Sequence, residues 1–303
     1  LNLNKNYIRK TTAFLTIQEG CDKFCSFCVV PYTRGAERSR SPKTIIKEAN
    51  ELVDSGVKEI TLLGQNVNAY YYDNENNQNV DFTNLIKLLC RIENLKRLRF
   101  VTSHPRDMND DLIQLFGQEE KLMPYLHLPI QSGSNKILKK MNRGHTVEFY
   151  LDIISRLKKI RPEIAISGDF IVGFPGETEV DFQKTLDVCK IIQYSQAYSF
   201  KYSPRTGTPS FEKKDIPDNI KSKRLSKLQE TIFLYQQQFQ QNLVGSVQAV
   251  LIEKIGKFQD QYVGRTPYMN PVVLKSKQNQ IGKIIPVKIN STNGLSLLGE
   301  YVN

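Results

Sequence analysis

The stretch EGCDKFCSFCVVPYTRG, residues 19–35, holds three of the chain's five cysteines, Cys21, Cys25 and Cys28, in the spacing C-x3-C-x2-C. It follows directly on TAFLTIQ (12–18), where Ala13, Leu15 and Ile17 alternate as in a strand. Three thiols on one loop are one short of the four ligands that close a structural zinc site. The nearest histidine, His104, belongs to a different strand end. Three thiolates do suit an iron–sulfur cluster with one iron left open for a substrate or cofactor. The rival reading of the same residues is a basic RNA-binding protein whose cysteines hold zinc with a borrowed fourth ligand. Cys90, next to Leu88 and Leu89, and Cys189, seven residues after Phe182, read as buried apolar thiols in helices.

Outward from the loop, strand and helix patterns alternate. SPKTIIKEANELVDSG (41–56) is helical, with Pro42 in its first turn and Ile45, Ile46, Ala49, Leu52 and Val53 on one face. KEITLLG (58–64), RLRFVTS (97–103), YLHLPI (125–130), IAISGDFIVG (164–173) and AYSFKYS (197–203) are strands separated by helical stretches. Six such rounds imply a parallel sheet closed into a barrel or partial barrel, with apolar strands buried on both faces. Its site belongs at the C-terminal strand ends, where the cysteine loop sits. Residues 71–80, polar and rich in Asn, read as a mobile surface loop.

The pattern changes near residue 210. A long basic, Gln-rich helix over 216–245 precedes short strand-like runs separated by Gly, Pro and Asn, as in a small all-β barrel of the OB kind. Lys254, Lys257, Arg265, Lys275, Lys277, Lys283 and Lys288 outnumber its acids. The whole chain of 303 residues carries a net charge of +11, which favours a nucleic-acid partner. No apolar run approaches the roughly 20 residues of a membrane span, and no signal peptide opens the chain. Clustered rather than scattered cysteines fit a reducing, cytoplasmic setting.

GCDKFCSFCVVPYTRGAERSR, LLGQNVNAY, VTSHPRDM, LHLPIQSGSNKILKKMNRGHT, GDFIVGFPGET and KYSPRTGTP together resemble the radical S-adenosylmethionine (SAM) methylthiotransferases. VVPYTRG and GQNVNAY resemble the branch acting on N6-isopentenyladenosine in tRNA. They are less like its two siblings, which act on threonylcarbamoyl-adenosine in tRNA or on an aspartate of a ribosomal protein. The resemblance covers nearly all of residues 7–303. It implies a (β/α)6 partial barrel over 1–215, a linking helix over 216–243 and an RNA-binding TRAM barrel over 244–303. In this superfamily a [4Fe-4S] cluster, here on Cys21, Cys25 and Cys28, chelates SAM at its open iron. One electron then cleaves SAM to methionine and a 5′-deoxyadenosyl radical. Phe27 would pack by the adenine; Gly64, Gln65 and Asn66 would meet the cofactor's amino group. Asp169 and the turn from Gly173 to Gly176 would meet ribose and adenine. Gln131, Ser132 and Arg143 would reach the cofactor carboxylate or the substrate. Arg34, Arg38 and Arg40, flanking the loop, suit RNA phosphate.

The same resemblance implies a tRNA anticodon stem-loop as partner, flavodoxin or ferredoxin as electron donor, and a monomer. The family carries a second [4Fe-4S] cluster, needed for sulfur insertion, on an N-terminal domain ahead of this segment. This chain opens on LNLNKNYIRK, without Met, just before strand one. We therefore expect about one more typical domain upstream in the whole protein.

Overall fold

The computed structural model describes residues 11–73 and 79–302. Six parallel strands form the first body: β1 (Thr12–Thr16), β2 (Glu59–Leu63), β3 (Arg97–Phe100), β4 (Tyr125–His127), β5 (Ala165–Val172) and β6 (Gln196–Lys201). They lie in sequence order, β1–β2–β3 and β4–β5–β6, starting with Thr12 opposite Glu59 and Glu59 opposite Arg97. Between the halves the ladder narrows to one parallel bridge, Leu98 to Leu122. β1 and β6 are edges, so the barrel is partial and open on one side. Phe14 on β1 is 71% exposed there and Tyr198 on β6 47%.

Helices α1 (Pro42–Asp54), α2 (Phe82–Cys90), α3 (Asp110–Gln118), α4 (Asn135–Lys140), α5 (Val147–Ile160) and α6 (Glu179–Ile192) connect the strands. Side-chain caps start most of them: Ser41, Asp81, Asn109, Thr146 and Thr178 each accept a backbone N–H of the first turn. The outward strand residues Leu15, Ile60, Leu62, Leu98, Phe100, Leu126 and Ile166 join Ile45, Ala49, Leu85, Leu112 and Ile153 from the helices in one core. Each of the Leu, Ile and Phe side chains contributes roughly 1.5–3 kcal/mol on burial.

The inward face differs from the all-apolar strand expected from sequence. Thr12, Glu59, Thr61, Arg99, Tyr125, His127, Gln196 and Tyr198 line a lumen of about 810 Å³. The alternation is therefore apolar outside and polar inside, because the partial barrel encloses a cavity instead of a packed interior. The stretch 71–80 also differs from a plain loop. Tyr71–Tyr72 and Val80–Asp81 pair as a short antiparallel ribbon; residues 74–78, where mobility was expected, lie outside the described residues.

Helix α7 (Asp218–Gln241) packs Leu228 and Ile232 into the first core. Beyond it β7 (Val247–Ile255), β8 (Gln261–Arg265), β9 (Pro271–Lys275), β10 (Ile284–Asn293) and β11 (Ser296–Tyr301) close a barrel in the order β7–β8–β9–β11–β10. Val250, Ile252, Val272, Leu274, Val287, Ile289 and Leu297 fill it. Gly264 permits its tight crossing, since a Cβ there would stand 2.3 Å from the Leu251 carbonyl oxygen. Closure leaves no unpaired strand edge.

The two barrels meet through buried charge. Arg97, 2% exposed, donates to the carbonyls of Ala249 and of Arg265, the latter at 3.0 Å. Arg99, also 2% exposed, donates to the carbonyls of Pro267 at 2.7 Å and Thr266 at 3.1 Å. Glu59 stands 3.0 Å from Arg99 and 3.6 Å from Arg97.

Candidate active site

The cysteine loop leaves the first strand through a narrow neck. Gln18–Glu19 pairs with Arg38–Ser39, and Gly20 turns through φ +72° with room for no side chain: a Cβ would stand 2.0 Å from the Ala36 carbonyl oxygen. Further along, Ser26 donates its N–H to the Met141 carbonyl (2.9 Å) and its hydroxyl to the Lys140 carbonyl (2.8 Å). Asn142 donates to the Phe24 carbonyl at 2.9 Å. Lys23 pairs with Asp107 at 2.8 Å, and Asn66 donates to the same carboxylate at 2.7 Å. The loop is thus tied to the turn after α4 and to Asp107 beyond β3, and through Asp107 to Asn66 beyond β2.

Cys21, Cys25 and Cys28 are free thiols that line one cavity of about 190 Å³. Burial raises the pKa of Cys21 and Cys28, so neither thiol ionises readily without a cation to take the thiolate. Cys90 and Cys189 lie elsewhere in the core, both pushed up to about 12 by desolvation, as the apolar reading requires. Among the described residues no three His, Cys, Asp or Glu side chains already stand as a metal-ligand group.

Phe27, Gln65, Asn66, Gln131, Arg143 and Asp169 line the same cavity. Arg143, 5% exposed, donates to the Cys25 sulfur at 3.3 Å and to the Pro129 carbonyl at 2.7 Å. Gln131 holds φ +77°, and its backbone bridges to β5 through Asp169 and Ile171. A non-glycine residue there stores strain of the kind found at functional sites. Gly64, Ser132 and Gly173, by contrast, are not among the lining residues. Ser132 is fully buried and accepts the Ser134 N–H. Gly64 packs on Gln18. Gly173 gives its N–H to Glu177 at 2.8 Å, and a Cβ there would strike Lys221. Those three each bond or pack against neighbouring protein groups. Arg40 is also engaged, with Glu48 at 2.7 Å, whereas Arg34 and Arg38 are exposed.

The cavity contains groups that pattern alone did not single out. His127 and Thr102 line both this cavity and the lumen, so the two spaces share a wall. His127 bonds Ser167 at 3.0 Å and faces Asp169 at 3.5 Å. Its alternation with Tyr125 was the available signal. Thr102 holds φ +61° and donates to the Gly64 carbonyl at 2.6 Å.

His104 is present too, but not as a fourth zinc ligand. Its Nδ1 accepts the Arg106 backbone N–H at 3.2 Å, so in the neutral ring the proton sits on Nε2. Burial, and then the Arg143 guanidinium, hold its pKa far below the usual histidine range. A ligating histidine shows the reverse arrangement, donating from its outer nitrogen.

Three thiols with an arginine on one of their sulfurs, beside Gln65, Asn66, Gln131 and Asp169, fit an iron–sulfur cluster with a polar cofactor next to it.

The comparisons agree with this arrangement. Residues 15–189 match the Radical SAM superfamily and residues 241–302 the TRAM domain. A tRNA-2-methylthio-N(6)-dimethylallyladenosine synthase of Rickettsia rickettsii (strain Sheila Smith) is 55% identical over 298 residues, which are 98% of this chain and 67% of that protein. Its namesake in Rickettsia felis (strain ATCC VR-1525 / URRWXCal2) is 53% identical over the same shares. The radical S-adenosylmethionine methyltransferase TsrM of Kitasatospora setae superposes with a TM-score of 0.54 at 18% identity, covering 67% of this chain and 36% of that one. Coproporphyrinogen III oxidase of Escherichia coli gives 0.52 at 17%, covering 85% and 67%. At those identities the structural likeness is one of fold. The chain belongs to the radical SAM superfamily and, within it, to the family of the tRNA-2-methylthio-N(6)-dimethylallyladenosine synthases.

Proposed function

We propose that the chain is a radical SAM methylthiotransferase that adds a methylthio group to carbon-2 of N6-isopentenyladenosine beside the anticodon of tRNA. The observation that carries this reading is the cysteine-lined cavity at the strand ends, which shares His127 and Thr102 with a wide lumen open on one side. Cys21, Cys25 and Cys28 would hold a [4Fe-4S] cluster, with SAM beside it. When bound, these groups supply a radical that takes hydrogen from a C–H bond that acid–base groups would not readily activate at neutral pH.

The chain's own residues bind and orient. Arg143 holds positive charge against Cys25. Asn66 and Gln131 present polar groups to the cofactor, and Phe27, packed against the cluster of Ile137, Met141, Phe174 and Tyr202, gives it an apolar wall. Tyr198 and Phe14 flank the open side, where a base can stack as it enters. Lys254, Lys257, Lys275, Lys277, Lys283 and Lys288 are exposed on the C-terminal barrel, with Lys257 over the exposed Phe258 ring at 5.9 Å, a surface for the RNA backbone and bases. Electrons come from a flavodoxin or ferredoxin, sulfur insertion uses a second cluster outside this chain, and the protein works as a cytoplasmic monomer. No described helix is long and apolar enough to cross a membrane.

Nucleoside mass spectrometry of tRNA from a deletion strain tests the substrate. The reading requires loss of the 2-methylthio group from isopentenyladenosine alone, restored by the whole gene but not by its C25A form. Loss from threonylcarbamoyl-adenosine would move the enzyme to a sibling branch.

A further inference from the structure

We infer that the groove between β6 and α7 is a nucleobase-stacking subsite, which takes the base of the RNA nucleotide next to the target base. This rests on the tRNA reading given above. β6 is an edge strand, and α7 runs beside it with Leu225 and Ile232 packed toward the core. Between them lies a cavity of about 500 Å³. Its walls hold three exposed rings: Tyr198 and Phe200 from the strand, 47% and 55% exposed, and Phe233 from the helix, 46% exposed. Tyr198 and Phe200 stand two positions apart, so they lie on one face of the strand. The Tyr198 hydroxyl accepts the Gln196 amide at 2.7 Å, which steadies that ring. Gln229, Phe233 and Gln236 line the same cavity and follow the i, i+4, i+7 spacing of one helix face. Tyr198 and Gln236 also line the lumen, so groove and lumen share a wall.

Exposed apolar groups gathered in one concavity mark a binding site, and the chemistry of the walls selects the occupant. Aromatic rings with side-chain amides among them suit the flat face and the hydrogen-bonding edge of an unstacked base. The volume falls within the range of about 300–1,000 Å³ for small-molecule pockets, whereas a stable protein partner needs a surface of about 800 Å² on each side. Charge agrees. The chain's net +11 draws RNA to the molecule, yet among the described residues the one charged group on the groove's walls is Glu230, whose carboxylate accepts the Ser226 hydroxyl at 3.2 Å. A carboxylate there repels phosphate and leaves the groove to the uncharged base. An RNA strand that sends its target base into the lumen carries the neighbouring base to the other side of the shared wall.

Equilibrium binding tests this. The full-length protein is titrated, by fluorescence anisotropy, into a tRNA anticodon hairpin carrying isopentenyladenosine, and into two copies of that hairpin in which the nucleotide on the 5′ or the 3′ side of the target is abasic. Both phenylalanine rings are about half exposed, so replacing them spares the core; circular dichroism checks the fold. F200A/F233A should bind the intact hairpin about tenfold more weakly than the parent. F200L/F233L should be as weak, because leucine restores apolar area without a flat ring, and F200Y/F233Y should match the parent. One of the two abasic hairpins should bind the parent about tenfold more weakly than the intact one, and should bind F200A/F233A no more weakly than the intact one does, since base and rings form a single contact. F200A/F233A with parent affinity, or with the parent's full abasic penalty, overturns the inference and leaves the tRNA reading intact. Parent-like binding by F200L/F233L contradicts stacking. An altered oligomeric state at unchanged RNA affinity gives the groove to a second copy of the chain and also overturns it. A parent that does not bind the intact hairpin removes the tRNA reading and this inference together.

Discussion

Gly20 is where a single side chain decides whether the cysteine loop closes. It combines φ +72° with a Cβ direction that meets the Ala36 carbonyl. Gly20→Ala should therefore open the neck at a cost of about 1–3 kcal/mol or more. Iron retained after reconstitution should fall several-fold while the circular dichroism of the barrels is unchanged; full loading would show that the neck is not needed. The three cysteines were legible in the sequence because ligands on one loop form a local pattern. His104 and His127 were not, because their roles depend on where separate strand ends converge. His127 meets Ser167, 40 residues on, and His104 is set by its neighbours Arg106 and Asn68 together with a cavity walled by distant residues.

Among the elements, α6 shows how a helix start can fasten a site loop. Thr178 and Asp181 form a capping box. The Asp181 carboxylate also accepts from Ser134 at 2.7 Å and Lys136 at 3.0 Å, both in the stretch that follows Gln131. Burial alone would raise its pKa, but the bonds from Thr178, Ser134 and Lys136 outweigh burial and hold it well below the usual carboxylate range. A depressed carboxyl contributes stability that is present above its unfolded pKa and lost as pH falls through the folded one. Asp181→Asn should lower stability by about 1.5–3 kcal/mol at neutral pH, and the gap in urea midpoint should narrow in acid. A gap independent of pH would show that the charge is not what fastens the loop. The order of strands and helices was readable because each strand's outward face is apolar. The polar lumen was not, since Glu59 in KEITLLG and the arginines of RLRF look like flanking charges until the strands curl around a cavity.

For the whole molecule the consequential feature is the junction of the two barrels. Arg97 and Arg99 reach carbonyls about 150 to 170 positions away, a contact no local pattern encodes. Four hydrogen bonds from two buried guanidinium groups fix the C-terminal barrel against the first barrel, so under the proposed function RNA held on one would be presented to the lumen of the other at a set distance. Arg99→Met leaves Glu59 with Arg97 as its remaining ion-pair partner among the described residues, at 3.6 Å. It should cost about 3–5 kcal/mol and raise amide exchange in β7, β8 and the turn that follows β8, where the junction carbonyls lie. Unchanged exchange there would mean that the arginines do not hold the barrels together. RNA affinity should fall steeply with salt if the exposed lysines carry phosphate contacts, and a flat salt profile would place RNA binding elsewhere. The central claim is that Cys21, Cys25 and Cys28 hold a cluster with an open iron. Its most direct test is the paramagnetic resonance spectrum of the anaerobically reconstituted, reduced protein, recorded with and without SAM. The account predicts a four-iron signal that changes when SAM is added. Zinc uptake with no such signal would contradict it.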